Sequence, residues 1–283
     1  MKIGVLADGF RLSTRENLIA AREVGAQGVQ LYAVEGETAP ENLSAAARRD
    51  LRAFARDQGL EFSAVCGDLG WGGFAFAERN PEKLERTKRI IDLALELGCP
   101  IVTTHIGVVP ADEKHPRRAV MAEALNAIGR YAESVGAKLA CETGPEPARV
   151  LRPFLDSLET RAVGVNLDPA NLAMGFRTDF AETVRLLAPY IYHTHAKDGV
   201  LLKEGDPEIA YGMVEAPADY DESEYCLEVP LGEGDVRWEE YLGALKACGY
   251  DGYLTIEREC GEDPRGDIAL AVGFLQERLR RLG

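Results

Sequence analysis

AKLACETGPEPARVLRPFLDSLETRAVGVNLDPANLAMGFRTDFAETVRLLAPYIYHTHAKD, residues 137–198, holds three short apolar runs separated by two longer stretches. The runs KLACET, AVGVNLD and IYHTHA lead into Gly, Pro or charged residues, the composition and punctuation of buried strands. Helices are expected between them, over 147–159 and 178–189. Glu142, Asp168 and His195 stand at the ends of the three runs, spaced by 26 and 27 residues, about one strand-loop-helix unit. Strand, helix and strand at that interval predict parallel strands joined by crossover helices.

The same rhythm extends in both directions. KIGVLA, GVQLYAV, EFSAVCG and PIVTTHI precede the stretch and GYLTIE follows it, which makes eight strand candidates. Helical patterns such as TRENLIAAREVGA, LSAAARRDLRAFARDQG and PEKLERTKRIIDLALELG lie between them, several with a Ser, Thr, Asn or Asp start and a Gly stop. Further helices are expected at 117–136, 237–248 and 265–281. Eight such units in 283 residues predict a single-domain α/β protein, a (β/α)8 TIM barrel. A doubly wound open sheet competes, but no G-x-G-x-x-G follows the first strand.

Composition narrows the functional class. With 46% hydrophobic and 28% charged residues the chain is expected to be globular with a large core. No apolar run reaches the roughly 20 residues of a membrane span. The N-terminal MKIGVLADGF enters a strand pattern at once, which predicts no cleaved leader. Six cysteines without a C-x-x-C pair predict reduced thiols and a cytoplasmic protein. A net charge of −15 argues against nucleic acid as a partner.

Glu257, in YLTIERE, gives the last strand a terminal acid to match the other three. Glu142, Asp168, His195 and Glu257 thus form a set of three carboxylates and one imidazole at the strand ends where barrel enzymes keep their chemistry, a set that suits one divalent metal. Alternation along the strands puts Ala140, Asn166, His193 and Thr255 one layer deeper. His193 therefore reads as a satisfied core histidine. His105, closing strand four, faces the mouth as a substrate contact. Lys197 shares the parity of His195 and reads either as an oxyanion or phosphate contact or as an exposed loop lysine. His115, before Pro116, reads as a surface residue. Residues 199–235 form a long insertion after strand seven, expected to cover the site, with the tract Asp219–Glu224 solvated. WGGFAFAERN, 71–80, is a second candidate wall.

CETG, NLDPANL, HTHAKD and PLGEGDVRWEEYLGALKACGYDGYLTIERE, together with the eightfold layout, resemble the xylose isomerase-like superfamily of sugar isomerases and epimerases. The likeness is strongest over 138–260. It implies one divalent metal, with manganese expected and cobalt, magnesium or zinc as alternatives, held by Glu142, Asp168, His195 and Glu257. It implies that Glu142 and Glu257 are also the acid and base of proton transfer beside a carbonyl through an enediolate, on a small sugar, keto-acid or keto-polyol. Asn171 matches a substrate-contact position where several epimerases have His. Homodimers or tetramers are common in the family. A lyase on the same fold, a keto-inositol dehydratase or a C-glycoside-cleaving enzyme, is the alternative. An endonuclease IV-type repair enzyme would need more than the four histidines present, and a non-catalytic sugar-binding barrel would be expected to lack one of the four ligands.

Overall fold

In chain order the strands are β1 (Lys2–Leu6), β2 (Gly28–Tyr32), β3 (Glu61–Cys66), β4 (Ile101–Thr104), β5 (Lys138–Glu142), β6 (Val163–Leu167), β7 (Ile191–Ala196), β8 (Asp198–Leu201), β9 (Cys226–Val229) and β10 (Tyr253–Ile256) in a computed structural model that describes residues 1–70 and 72–283. Trp71, at the head of the second candidate wall, lies outside the described residues. All eight expected strands are present. Seven pair in sequence, β10 pairs with β7 and β1, and the parallel barrel closes with Lys2 beside Tyr253 and Val5 beside Ile256. This is a single (β/α)8 barrel.

The helices are α1 (Thr14–Glu23), α2 (Ala45–Asp57), α3 (Asn80–Leu97), α4 (Pro116–Val135), α5 (Ala148–Asp156), α6 (Pro169–Gly175), α7 (Phe180–Leu187), α8 (Pro207–Ala210), α9 (Trp238–Ala247) and α10 (Pro264–Leu282). Local chemistry sets their ends. Ser13 and Glu16 form a capping box before α1, and Ser44 Oγ accepts from Ala47 N at 3.2 Å before α2. Gly98 stops α3 at φ 88°, a conformation other residues rarely adopt. His115, expected at the surface, is half-buried as the N-cap of α4, its Nδ1 accepting from Arg117 N at 3.2 Å. Inward helix residues such as Leu18, Ile90, Ile91, Leu125 and Phe154 are buried with the outward strand residues Val65, Val102, Leu139 and Val163 in one core. Each large aliphatic side chain sealed there contributes about 1.5–3 kcal/mol. Among the described residues no helix is long and apolar enough to cross a membrane. All six cysteines are free.

Two departures from the expected layout matter for the site. Helix α6, unforeseen, begins at the residue after Asp168. The 199–235 insertion is also not a plain loop: β8 and β9 pair as an antiparallel ribbon, Asp198 beside Val229 and Leu201 beside Cys226, with α8 between them.

Candidate metal centre and sugar pocket

Consecutive barrel strands deliver the four candidate ligands: Glu142 ends β5, and Asp168, His195 and Glu257 lie at the ends of β6, β7 and β10. All four side chains are buried, and one ligand atom from each lies within 4.8 Å of all the others. Opposite ligands of one ion at 2.0–2.3 Å stand about 4–4.6 Å apart, so the spacing fits a single centre. His195 Nδ1 lies 3.2 Å from Glu257, 3.3 Å from Asp168 and 3.7 Å from Glu142.

The surroundings orient the set. Gln30 donates its amide to Thr103 Oγ1 at 3.1 Å, which leaves its carbonyl oxygen to accept from His195 Nε2 at 3.0 Å. Nδ1 is thereby turned to the three carboxylates, the arrangement by which outer partners fix a metal-binding histidine. Asp168 caps α6, its Oδ1 accepting from Asn171 N at 2.9 Å, while Oδ2 faces His195. Asn171 Nδ2 donates to Glu142 Oε1 at 2.9 Å and Asn166 Nδ2 to Glu142 Oε2 at 3.2 Å. The deeper layer is as the alternation requires. His193 bridges Asn166 Oδ1 at 2.9 Å and Thr255 Oγ1 at 3.0 Å. Burial, then His195, pushes its pKa well below the usual histidine range, so it is a neutral internal tie.

The charge states follow from the same geometry. Burial opposes a charge on His195, but Glu257, Glu142 and Asp168 outweigh it and raise its pKa well above the ordinary value. Burial likewise opposes ionised Glu257, yet His195 and Lys197 hold its carboxyl well below the usual range. Glu142 is also lowered, burial being outweighed by His105 and His195. Burial keeps Asp168 raised. Such a dense buried set of carboxylates around one imidazole fits a divalent cation.

Lys197 is 5% exposed, which corrects the exposed-loop reading. Its ammonium donates to Glu257 Oε2 at 3.1 Å and to Glu259, and lies 3.7 Å from Glu228. His105 Nδ1 pairs with Asp68 at 2.9 Å, and Nε2 lies 3.6 Å from Glu142. His105, Lys197 and Asn171 all line a cavity of about 610 Å3 with Glu142 and Glu257.

The insertion forms the outer wall of that cavity through Tyr211, Glu222, Ser223, Cys226, Leu227 and Glu228. Tyr211 packs against His105 with ring centroids 5.6 Å apart, and a side chain at Gly144 would meet its hydroxyl at 2.1 Å. Tract 219–224 is exposed apart from half-buried Tyr220. Two carboxylates fasten this cap. Asp198 accepts from Gly199 N at 3.0 Å, Gly232 N at 2.8 Å, Val236 N at 3.2 Å and Trp238 Nε1 at 2.8 Å. Glu228 accepts from Arg258 Nη1 at 2.5 Å and from the backbone of Glu259 and Cys260 at 3.1 Å.

Sequence reading missed Gln30, Tyr211, Asp198 and Glu228. A polar residue inside the apolar run GVQLYAV was the available signal for Gln30; Tyr211 and Glu228 come from the insertion, where no periodicity places a side chain.

The xylose isomerase-like TIM barrel model matches residues 18–278. An uncharacterised protein of Methanocaldococcus jannaschii is 26% identical over 65% of this chain, a match spanning 62% of its own length. The 2-oxo-tetronate isomerase of Haemophilus influenzae is 24% identical over 81% of this chain and 83% of its own. A xylose isomerase domain protein from Planctomyces limnophilus superposes with TM-score 0.80 at 26% identity, covering 99% of this chain and 97% of that one. A D-tagatose 3-epimerase-like protein superposes with TM-score 0.74 at 20% identity over the whole of both chains. The chain belongs to the xylose isomerase-like TIM barrel family.

Proposed function

We propose that the protein is a divalent-metal-dependent sugar isomerase or epimerase that moves a proton beside a substrate carbonyl. The observation that carries this reading is that two glutamates three strands apart, Glu142 and Glu257, converge in one buried cluster with Asp168 and His195. Those four residues would hold the ion, manganese or another of similar preference, which when bound polarises a carbonyl and its neighbouring hydroxyl and lowers the barrier to enolisation by several kcal/mol. Glu142 and Glu257 each offer a carboxylate to remove a proton from one face of a planar intermediate and return it to the other. Asn166 and Asn171 aim the first, and Lys197 aims the second. His105 and Lys197 border the cavity as substrate contacts, and the cap excludes water. The likeness to a 2-oxo-tetronate isomerase supports isomerase chemistry. The free cysteines support a cytoplasmic setting.

The test is metal analysis of the purified protein, followed by exchange of the substrate α-proton with deuterium from heavy water across ketoses and keto-inositols. One bound equivalent of metal and metal-dependent exchange are expected. Stoichiometric metal without exchange from any carbonyl sugar would overturn the reading.

A further inference from the structure

Every positive charge that faces the cavity already has a carboxylate. Five glutamates line it, Glu142, Glu222, Glu228, Glu257 and Glu259, against one lysine and one histidine. Lys197 is shared among Glu257, Glu259 and Glu228, and His105 is held between Asp68 and Glu142. Among the described residues no arginine lines the cavity. The nearby guanidinium, Arg258, is turned into Glu228 and, at 2.8 Å, Asp267. A divalent ion does not reverse the balance, because its three carboxylate ligands exceed its charge by one.

The starts of α6 and α10 offer no open anion seat either. In barrels of this architecture phosphate commonly binds at the loops after strands seven and eight. Here those positions read Lys197-Asp198 and Glu257-Arg258-Glu259, and the N-termini of α6 and α10 are closed by side chains. Asp168 Oδ1 takes the Asn171 amide at the start of α6, and Asp263 Oδ1 takes the Gly266 amide at the start of α10 at 3.0 Å. A phosphate placed beside an uncompensated carboxylate in this part-buried setting meets a repulsion that water screens only partly. Hydroxyl groups meet the opposite condition, since the carboxylates are acceptors in excess of the donors around them. Met174, Tyr211 and Leu227 add an apolar wall.

We infer, resting on the isomerase or epimerase reading above, that the substrate is an uncharged polyhydroxy carbonyl compound, neither phosphorylated nor carboxylated. Saturation-transfer NMR on the metal-loaded protein tests this with a panel of neutral ketopentoses, ketohexoses and keto-inositols, each matched to a monophosphate or 2-oxo acid counterpart. Neutral members are expected to bind at least about tenfold more tightly than their anionic counterparts at low salt. An anionic member that binds more tightly than its neutral match, or a panel in which no neutral member binds, overturns the inference. Glu259→Gln removes the most exposed partner of Lys197 and is expected to shift the preference toward anions by about tenfold; an unchanged ratio also counts against it. Deuterium exchange on the same panel separates the two claims. Neutral sugars that bind without exchange leave the charge assignment standing and overturn the isomerase reading, whereas exchange confined to anionic members does the reverse.

Discussion

The strand-end cluster and the cap above it are both rich in buried charge, but they are built by different means. In the cluster, backbone register places the side chains: β5, β6, β7 and β10 are neighbours in a closed barrel, so the four candidate ligands converge at their ends. In the cap, side chains place the backbone. The β8–β9 ribbon has no strand partner beyond itself and is fastened near its base by Asp198 and by Glu228, which pairs with Gly199. A change in the cluster should therefore alter chemistry with the fold kept, and a change in the fasteners should alter local order with the cluster kept.

The largest effect expected is at the cluster. Glu142→Gln and Glu257→Gln each keep one ligand oxygen and lose the base, so turnover should fall by about 10²–10⁴-fold with metal still bound. Steady-state kinetics beside metal analysis checks it, and near-normal turnover in either variant would reduce that glutamate to a ligand.

Glu146, four residues beyond Glu142, sharpens the contrast. It is buried, accepts from Val109 N at 3.0 Å, and burial pushes its carboxyl up to about 8. The unfolded chain ionises near 4.5 while the fold keeps the proton. Stability is therefore lost as pH rises between those values, and below 4.5 the group contributes nothing. Glu146→Gln should stabilise the protein by on the order of 3 kcal/mol at pH 8, with the gap closing by pH 4. Urea unfolding across that range measures it; a gap independent of pH would contradict it.

Asp198→Asn turns an acceptor of four donors into a group that itself donates. A loss of about 2 kcal/mol and new proteolytic cuts within 199–235 are expected, with metal content unchanged. Cuts spread evenly through the barrel would show that the fastener supports the whole fold. The smallest effect belongs to the scaffold: Ser44→Ala removes the cap of α2 and should cost about 1 kcal/mol in unfolding free energy without changing turnover.

The barrel and the cluster were legible because both are periodic. Strands recur with a fixed side-chain alternation, so Glu142, Asp168, His195 and Glu257 could be placed on one rim, and Asn166, His193 and Thr255 on the layer below, from parity alone. Lys197 shows the limit. Its direction followed from parity, but its burial depends on Glu228 and Glu259, and Glu228 approaches from a ribbon about thirty residues further along the chain. Helix α6 was missed for a related reason. Its seven residues are too few to show a repeat, and its cap, Asp168, had already been read as a ligand.

The Asp198 junction gathers the entry and exit of residues 199–235 at one side chain, with Gly199 on one side and Gly232, Val236 and Trp238 on the other. Chain between two points fixed together is a closed loop, and doubling the length of such a loop costs only about 0.6 kcal/mol. The part of the excursion between β8 and β9 can thus change length at little entropic cost, while Glu228 keeps the ribbon tied to Arg258 and Lys197. Its inner surface supplies Tyr211 and Leu227 to the cavity wall. One carboxylate at the root therefore anchors a wall of the cavity whose outer length is free to vary.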